Sequence, residues 1–516
     1  MDNPSPSLIF DIQSGMMKRI VKGLNTNFLS HLITAANSLL LVPFYIRGWG
    51  ANGYGKWILL TAFISYFVLL DLGGQSYIGN LLAKAYTCGD KIEFRRKLSE
   101  GVSFYVLLSL VILFIFIIYL LLPLASLPGH RMPLSLEERI ILLLVGINLL
   151  QSIPAGVYVS AYRSSGLLAR SLMVGNITRG SLLLLSAIIL WFSFPPIMMA
   201  ACILVIGIGG TCYVAFDIKW QVLDNHQIKL SLANARLGKA YLRGSLYFWL
   251  LSLAYSINFQ GVILVLSSYQ SNSVVALYNT HRTAAGLVNY IYNLMLTPLW
   301  PEFTFLYAQG KQEELKKVLL LVVKVVVLLS GITAIALVWI IPIIYPIWTG
   351  NRLDLNSNLL LILLVQGVLA SGWNASCWSL LASNKHKPLA AWALLNAILT
   401  IPLSVIGAIH FGVVGVATAT LTGDILCGLL VYPALGAKAL DMPIRKMYLT
   451  ITRPIVALFI PIGGLMLLST MVQGLTFLFT GFLVLVVCGG ISILFTFGMD
   501  EFAWLRSKLL VRGGLT

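Results

Sequence analysis

The stretch ISYFVLLDLGGQSYIG, residues 64–79, poses the question that decides the fold. A carboxylate, Asp71, stands inside an apolar run, with Gly73 and Gly74 just behind it. A soluble core strand has no need of it, and a plain membrane anchor avoids it. What Asp71 does depends on what surrounds it.

The surroundings are apolar. Of 516 residues, 58% are hydrophobic and 10% charged, and the mean hydropathy is +0.89. Soluble domains carry about 25% charged residues. Runs of about 20 mostly apolar residues, enough for a spanning helix, recur throughout. They are continuous rather than alternating, which implies helices and not a barrel. The expected fold is all-α and polytopic.

Fourteen spans can be drawn, at about 24–46, 57–79, 102–122, 140–161, 171–192, 197–216, 244–266, 274–298, 319–341, 358–381, 389–410, 413–435, 450–470 and 474–497. With the N-terminus inside, 27 of the 35 Lys and Arg residues fall on inside segments and 5 on outside ones. Arg179, Arg282 and Lys324 lie within spans. Cytoplasmic loops are enriched in Lys and Arg, so this bias orients the chain with both termini in the cytoplasm. It also accounts for the net charge of +17, and no nucleic-acid partner is needed. The N-terminus is polar and basic, without a short apolar region and small-residue cleavage site, and reads as an uncleaved start. The six cysteines form no CxxC pair and mostly sit in apolar runs. They read as small buried hydrophobes rather than metal ligands or disulfides.

Cytoplasmic segments echo one another at a separation of about 220 residues. AYTCGDKIEFRRKL (85–98) follows span 2, and LYAQGKQEELKKVL (306–319) follows span 8. YRSSGLLARSLMVGNITRG (162–180) leads into span 5, and LASNKHKPLAAWALLNAIL (381–399) into span 11, with Asn176 near the place of Asn396. Two parallel six-helix halves, 24–216 and 244–435, are expected, joined by a cytoplasmic linker at 217–243. Two additional helices occupy 450–497, and 1–23 and 498–516 are cytoplasmic tails. Parallel repeats around a central site are a transporter architecture.

LVPFYIRGWGANGYGKWILLTAFISYFVLLDLGG (41–74) resembles the N-terminal signature of the oligosaccharide flippases. These are the O-antigen-type polysaccharide exporters of the multidrug/oligosaccharidyl-lipid/polysaccharide exporter superfamily. Pro43, the glycines at 48, 50, 53 and 55, Tyr54, Trp57 and Asp71-Leu72-Gly73 carry the resemblance. FGVVGVATATLTGD (411–424) is similar to the start of the family's span 12. The resemblance implies a plasma (inner) membrane flippase, not an enzyme, for cell-surface polysaccharide biosynthesis. Its cargo would be undecaprenyl-pyrophosphate-linked oligosaccharide, moved from the inner to the outer leaflet by alternating access. The sugar would cross a polar cavity between the halves while the lipid tail stays among membrane lipid. No cofactor or metal is expected, coupling to H+ or Na+ stays open, and polysaccharide polymerase machinery is a candidate partner. Some relatives carry arginines in span 1, and this chain has none there.

Such a cargo needs cations for its anionic head and hydrogen-bonding groups for its hydroxyls. Ionisable residues in spans are costly and usually face a protein interior or a water-filled cavity. In span 8, Tyr278, Arg282, Asn289 and Asn293 share a stripe about 60° wide, with Ala285 beside it. Arg282 lies about 12 Å from the outer end at 1.5 Å per residue, and its fork suits a phosphate. The alternatives are snorkelling to the outer surface or a structural pair with Asp424. His281 flanks it. Asn27, His31, Thr34 and Ser38 form a second stripe in span 1, equally readable as interhelical hydrogen bonding. Span 5 puts Asn176 and Arg179 on one face, and span 12 does the same with Thr420 and Asp424. Lys324 is expected to snorkel to the cytoplasmic end of span 9.

Asp71 lies in the cytoplasmic half of span 2, where a carboxylate near a helix C-terminus opposes the helix dipole. It holds an interior cation or serves a gate or proton step, with Asp424 as a second gating or coupling residue. Alternatively, it is a helix-end aspartate bonded to a neighbouring helix N-terminus or loop.

A cation-coupled multidrug exporter of the same superfamily is the competing function, and would want carboxylates in spans 1 or 7, which have none. A glycosyltransferase or polymerase would usually carry a large outside loop. The longest here, about 123–139, offers only His130, Arg131, Glu137, Glu138 and Arg139. The orientation is directly testable. A single cysteine placed in 217–243, in a background without the native cysteines, should react only with reagent applied from the cytoplasmic side. Labelling from outside would overturn the topology.

Overall fold

In a bilayer each span must satisfy its own backbone, and a helix does so within one segment. The computed structural model describes residues 6–123, 133–223, 225–226, 228–308, 310–382, 386–471 and 475–497, and no strand occurs among them. The helices are α1 (Pro6–Ser65), α2 (Gly74–Thr87), α3 (Lys91–Leu121), α4 (Leu136–Ser164), α5 (Leu168–Trp191), α6 (Pro196–Gln221), α7 (Leu232–Gly238), α8 (Leu242–Ser256) and α9 (Val262–Tyr269). They continue as α10 (Asn272–Ala308), α11 (Gln312–Thr349), α12 (Ser357–Ala382), α13 (His386–Gly423), α14 (Tyr432–Ala439), α15 (Ile444–Ala457), α16 (Phe459–Met471) and α17 (Leu475–Thr496). Among the described residues, 10 helices are long and apolar enough to cross a membrane. Phe28–Asp71 and Lys387–Ala439 each hold two spans, because Gly50 and Gly412 turn the chain inside α1 and α13. The chain is an all-α, multi-pass membrane protein.

The chain divides into two compact units between Leu277 and Tyr278, inside α10. In the first, the core gathers Ile64, Leu142, Leu190 and Met199 towards one end, and Ile78, Leu98, Val157 and Tyr162 towards the other. The seventh span, α8 and α9 with the π-helical turn Ile257–Gly261 between them, is part of this unit. Its Trp249 indole donates to Leu69 O at 2.8 Å. The start of α10 also packs here: a side chain at Gly55 would come within 1.7 Å of Asn272 O.

The segment between α6 and α8 is docked on α3. Ser103 Oγ donates to Lys229 O at 3.4 Å and accepts from Ser231 N at 3.3 Å. Gly238 lies so close that a Cβ there would meet Glu100 O and Phe104 Cβ at 2.6 Å. The Tyr241 hydroxyl donates to the buried Glu100 carboxylate. Burial, reinforced by that carboxylate, holds the Tyr241 phenol well above its ordinary pKa, so it remains a donor.

The second unit packs around Leu296, Phe303, Leu319, Val323 and Ala375. Leu328, Leu458 and Phe497 join its last helices, and Ser492 Oγ donates to Ala457 O at 2.9 Å. Lys324 does not snorkel. It is 8% exposed, with its ammonium 5.9 Å from the Phe497 ring centre, a cation–π contact inside the packing.

The echo between 85–98 and 306–319 is present in the backbone. Gly89 and Gly310 have φ of 72° and 71°, a left-handed conformation in which glycine carries no steric cost. Gly89 N bonds to Tyr86 O at 3.0 Å, and Gly310 N to Tyr307 O at 3.1 Å. Asp90 N reaches Ala85 O at 3.0 Å, and Lys311 N reaches Leu306 O at 3.0 Å. Two Tyr-x-x-Gly segments thus stop one helix in the same way, although only the first is followed by a side-chain cap, from Asp90.

Span 2 is broken at Asp71. Tyr66–Asp71 is a 3-10 segment, Leu72 and Gly73 take φ of 53° and 72°, and α2 starts afresh at Gly74. Tyr105 OH donates to Asp71 O at 2.6 Å. Gly74 makes room for that ring, since a Cβ there would lie 1.9 Å from the hydroxyl. Tyr105→Phe should therefore leave a carbonyl unsatisfied and destabilise the protein by about 1–3 kcal/mol. Thermal unfolding in detergent would show a lowered transition; an unchanged one would mean that this bond does not hold the break.

Candidate functional site

The polar side chains of the second unit gather on spans 8, 10, 11 and 12. Tyr278 and Arg282 stand one turn apart on α10, and the guanidinium lies over the tyrosine ring, 5.5 Å from its centre. Arg282 Nη2 also donates to Asn279 Oδ1 at 3.0 Å. Asn293 Nδ2 donates to Asn289 O at 2.9 Å, and Asn289 is exposed. The stripe expected in span 8 is thus two local pairs, Tyr278 with Arg282 and Asn289 with Asn293. Asn289 Oδ1 stands near Gly367, 3.7 Å from where a Cβ would be.

His281 does not join Arg282. It is fully buried, its Nε2 accepts from Asn356 N at 3.0 Å, and its Nδ1 lies 3.2 Å from Tyr345 OH. An imidazole that accepts at Nε2 carries its proton on Nδ1 and is neutral. The Tyr345 hydroxyl is also 2.9 Å from Thr280 Oγ1. His281 thereby ties α10 to the turn before α12, and protonation at Nε2 would break that tie.

Asp424 opens a π-helical stretch, Asp424–Leu429, on span 12. Single π turns of this kind are frequent at functional sites. Its Oδ2 accepts from Gln366 Nε2 of α12 at 2.7 Å, and its Oδ1 from Asn396 Nδ2 of α13 at 3.0 Å. Thr400 Oγ1 donates to Asn396 Oδ1 at 2.9 Å, and Thr420 Oγ1 to Gln366 Oε1 at 3.4 Å. Gly423 leaves the space: a Cβ there would sit 2.4 Å from Asn396 Oδ1 and Thr400 Oγ1. Among the described residues no Lys or Arg forms an ion pair with Asp424, so the pairing with Arg282 weighed above is not formed. Among the described residues, the bonds to this carboxylate come from two amides, Gln366 and Asn396. Gln366 and Thr400 escaped the reading of the sequence, although Gln366 is the one amide in LLLILLVQGVLASG (359–372).

In the first unit, Asn176 is 5% exposed and its Oδ1 accepts from Arg179 Nη1 at 3.0 Å. The pair forms as the spacing implies. Asn27 and His31 fall on α1, but their side chains lie outside the described residues. Thr34 and Ser38, from the same stripe, donate to Ser30 O and Thr34 O in their own helix at 2.8 and 3.0 Å. The Asp71 carboxylate accepts from Gln75 N, in the first turn of α2, at 3.3 Å. No ion pair with Asp71 occurs among the described residues, and its observed bond is the helix-end one. A carboxylate there favours the positive end of the helix that follows it.

Three further features carried no sequence signal. Asp217 takes a bidentate Arg170 fork, with both contacts at 2.6 Å, and accepts from Tyr162 OH at 2.5 Å, fastening α4, α5 and α6. Thr211, Gln151 and Asn148 form a hydrogen-bonded row between α6 and α4. Of the outside-loop residues, Glu138 caps α4 with Ser135 and pairs with Lys56 at 3.1 Å, while Arg139 satisfies the final carbonyls of α3. His130 and Arg131 lie outside the described residues. The cysteines are not uniformly buried: Cys377 and Cys427 are, but Cys88 and Cys212 are exposed and all six are free.

No protein-family model matches the chain, and no curated protein matches it by sequence. Solved structures do match by shape. The lipid II flippase MurJ, in an inward closed conformation, superposes with a TM-score of 0.66 at 15% identity, over 92% of this chain and 98% of its own. An inward-facing multidrug resistance MATE family transporter of the MOP superfamily gives 0.61 at 14% identity, over 80% of this chain and 94% of its own. An outward-facing one gives 0.55 at 15% identity, over 82% and 96%. The chain shares the fold of these membrane proteins. At such identities the likeness is one of architecture.

The Asp424 network makes a sharp comparison available. Asp424→Asn replaces one acceptor by a donor facing two amide donors, whereas Gln366→Ala removes one bond to the carboxylate, at about 1.5–3 kcal/mol, and the long one from Thr420. If the carboxylate has a coupling role, Asp424→Asn should lose ion-dependent transport while Gln366→Ala retains it in a less stable protein. Transport in vesicles with and without an imposed pH or Na+ gradient measures this. Equal behaviour of the two variants would reduce Asp424 to a packing element.

Proposed function

We propose that the protein is a flippase that translocates an undecaprenyl-pyrophosphate-linked oligosaccharide across the plasma membrane by alternating access, for cell-surface polysaccharide biosynthesis. The observation that carries this reading is Arg282, in the sequence's expected span 8, its guanidinium over the Tyr278 ring on a helix that further along carries Asn289 and Asn293. A cation followed by amides matches a cargo with a phosphate head and a hydroxyl-rich body. Arg179 with Asn176 supplies a similar pair in the other unit, and Asn27 and His31 extend the proposed path along span 1. In this scheme Asp71 and Asp424 serve gating or coupling, and both termini are cytoplasmic. The flippase likeness, which takes in 92% of the chain against 80% and 82% for the two transporters, supports a lipid-linked cargo.

A cation-coupled multidrug exporter is the second reading. Asp424 favours it, as a span carboxylate held by Gln366 and Asn396 without a cationic partner among the described residues. An arginine placed in a span, as Arg282 and Arg179 are in the sequence, disfavours cationic cargo, since like charges repel most strongly where the dielectric is low.

The two part on one measurement. In a strain lacking the protein, mass spectrometry of extracted lipids should reveal accumulated polyprenyl-pyrophosphate oligosaccharide, reversed by the wild-type gene. Arg282→Ala should fail to reverse it while inserting normally. Normal lipid pools with increased retention of a cationic dye would favour the drug exporter, and full activity of Arg282→Ala would remove that residue from the path.

A further inference from the structure

A cavity of about 310 Å³ opens in the first unit where α2, α3 and the end of α6 meet. That is at the lower end of the usual range for ligand pockets, about 300–1,000 Å³. Tyr86 and Phe94 form one wall, with ring centres 6.1 Å apart, and Val222 and Leu223 another. Lys91 and Arg95 supply positive charge. Asp90 also lines the cavity, but its Oδ1 is committed to Ile92 N and Glu93 N at 3.1 and 2.8 Å, so the end of α3 is already capped. Arg95 donates through Nε to Lys91 O at 3.1 Å, which fixes the stem. Its terminal nitrogens meet no carboxylate among the described residues, although its neighbours Arg96 and Lys97 both do. The cavity therefore holds a positioned guanidinium fork that, among the described residues, forms no ion pair.

The depth of the cavity follows from α6. Phe216 and Trp220 are 62% and 53% exposed, and Lys219 Nζ lies 6.0 Å from the Trp220 ring centre. Exposed aromatics beside a lysine at the end of a spanning helix mark the headgroup layer. Val222 and Leu223 follow directly, so the cavity sits at that level, on the face that the charge bias assigns to the cytoplasm. Ile92, 76% exposed in the first turn of α3, adds an apolar side chain at the rim.

We infer that this cavity is a binding site for the phosphate of an anionic membrane lipid, with the Arg95 fork on the phosphate oxygens and the Tyr86–Phe94 and Val222–Leu223 walls against the glycerol and upper acyl carbons. The inference is independent of the transported cargo. Fork-like pairing with phosphate is what a guanidinium does best, and basic pockets between spanning helices on the cytoplasmic side hold anionic headgroups.

The test uses the full-length protein in detergent, exchanged into an equimolar mixture of phosphatidylglycerol and phosphatidylcholine, with native mass spectrometry of retained lipid. Wild type should retain phosphatidylglycerol selectively. Arg95→Gln should bind it about fivefold more weakly, the factor expected for one cation at the surface, and Arg95→Lys should recover part of the loss. Val222→Trp, which fills the cavity and leaves every charge in place, should lose retention as Arg95→Gln does. Arg236→Gln, at an exposed arginine outside the cavity, should behave as wild type. Equal loss in Arg236→Gln would show diffuse surface attraction, and full retention in Val222→Trp would place the lipid elsewhere; either overturns the site. Displacement of the lipid by soluble glycerol phosphate at similar concentration would overturn the lipid assignment in favour of a free phosphate.

Discussion

Everything in this protein rests on the bilayer's refusal to leave a backbone polar group unpaired. Each N–H and C=O without a partner in hydrocarbon costs several kcal/mol, so a spanning helix can be interrupted only where something else takes over its hydrogen bonds. The break in span 2 follows this rule. The chain leaves helical geometry at Leu72 and Gly73; Asp71 O accepts from Tyr105, from span 3, and Leu69 O accepts from both Leu72 N and the Trp249 indole, from span 7. Asp71, in its turn, serves the next helix by accepting from Gln75 N. Two aromatic residues far apart in sequence are thus what permits one irregular turn at membrane depth.

The same economy governs the interior polar residues. Asp217 is balanced by a bidentate arginine and a tyrosine, and Glu100 by Tyr241 with Lys97 and Arg96 nearby. Both sit where helices emerge, and both fasten elements together. Asp424 differs. It is held by neutral amides, which satisfy its lone pairs without cancelling its charge. A residue kept that way is stable in either protonation state only if its surroundings adjust, and the π-helical turn that starts there is the local element able to do so.

The architecture was legible in the sequence because the membrane writes it there: about 20 apolar residues per span and an excess of Lys and Arg on one side leave little choice of fold. The site was less legible. Arg282 and Arg179 stand out as charges in spans, but the angle that breaks span 2 falls on a leucine, a residue that seldom takes positive φ and gives no warning of it. His281, which flanks Arg282 in sequence, is turned elsewhere because Tyr345 and Asn356, more than sixty residues away, claim the imidazole. Thr34 and Ser38 show the limit of helical-wheel reasoning, since a hydroxyl on a polar face can turn back to its own carbonyl ladder. Lys324 was misjudged because the aromatic that receives it, Phe497, lies at the far end of the chain.

The docking of the seventh span has a consequence for how the protein is made. Trp249 closes the gap in span 2, and the segment before it is fastened to α3 by Ser103, Glu100 and Gly238. The first unit is therefore incomplete when six spans have left the ribosome. At the break, Leu69 O has only the Leu72 N–H until α8 brings the Trp249 indole, roughly 180 residues later. Part of that turn's hydrogen bonding thus arrives late in synthesis, which makes the order of synthesis, and not the final structure alone, bear on where this chain can be cut or permuted.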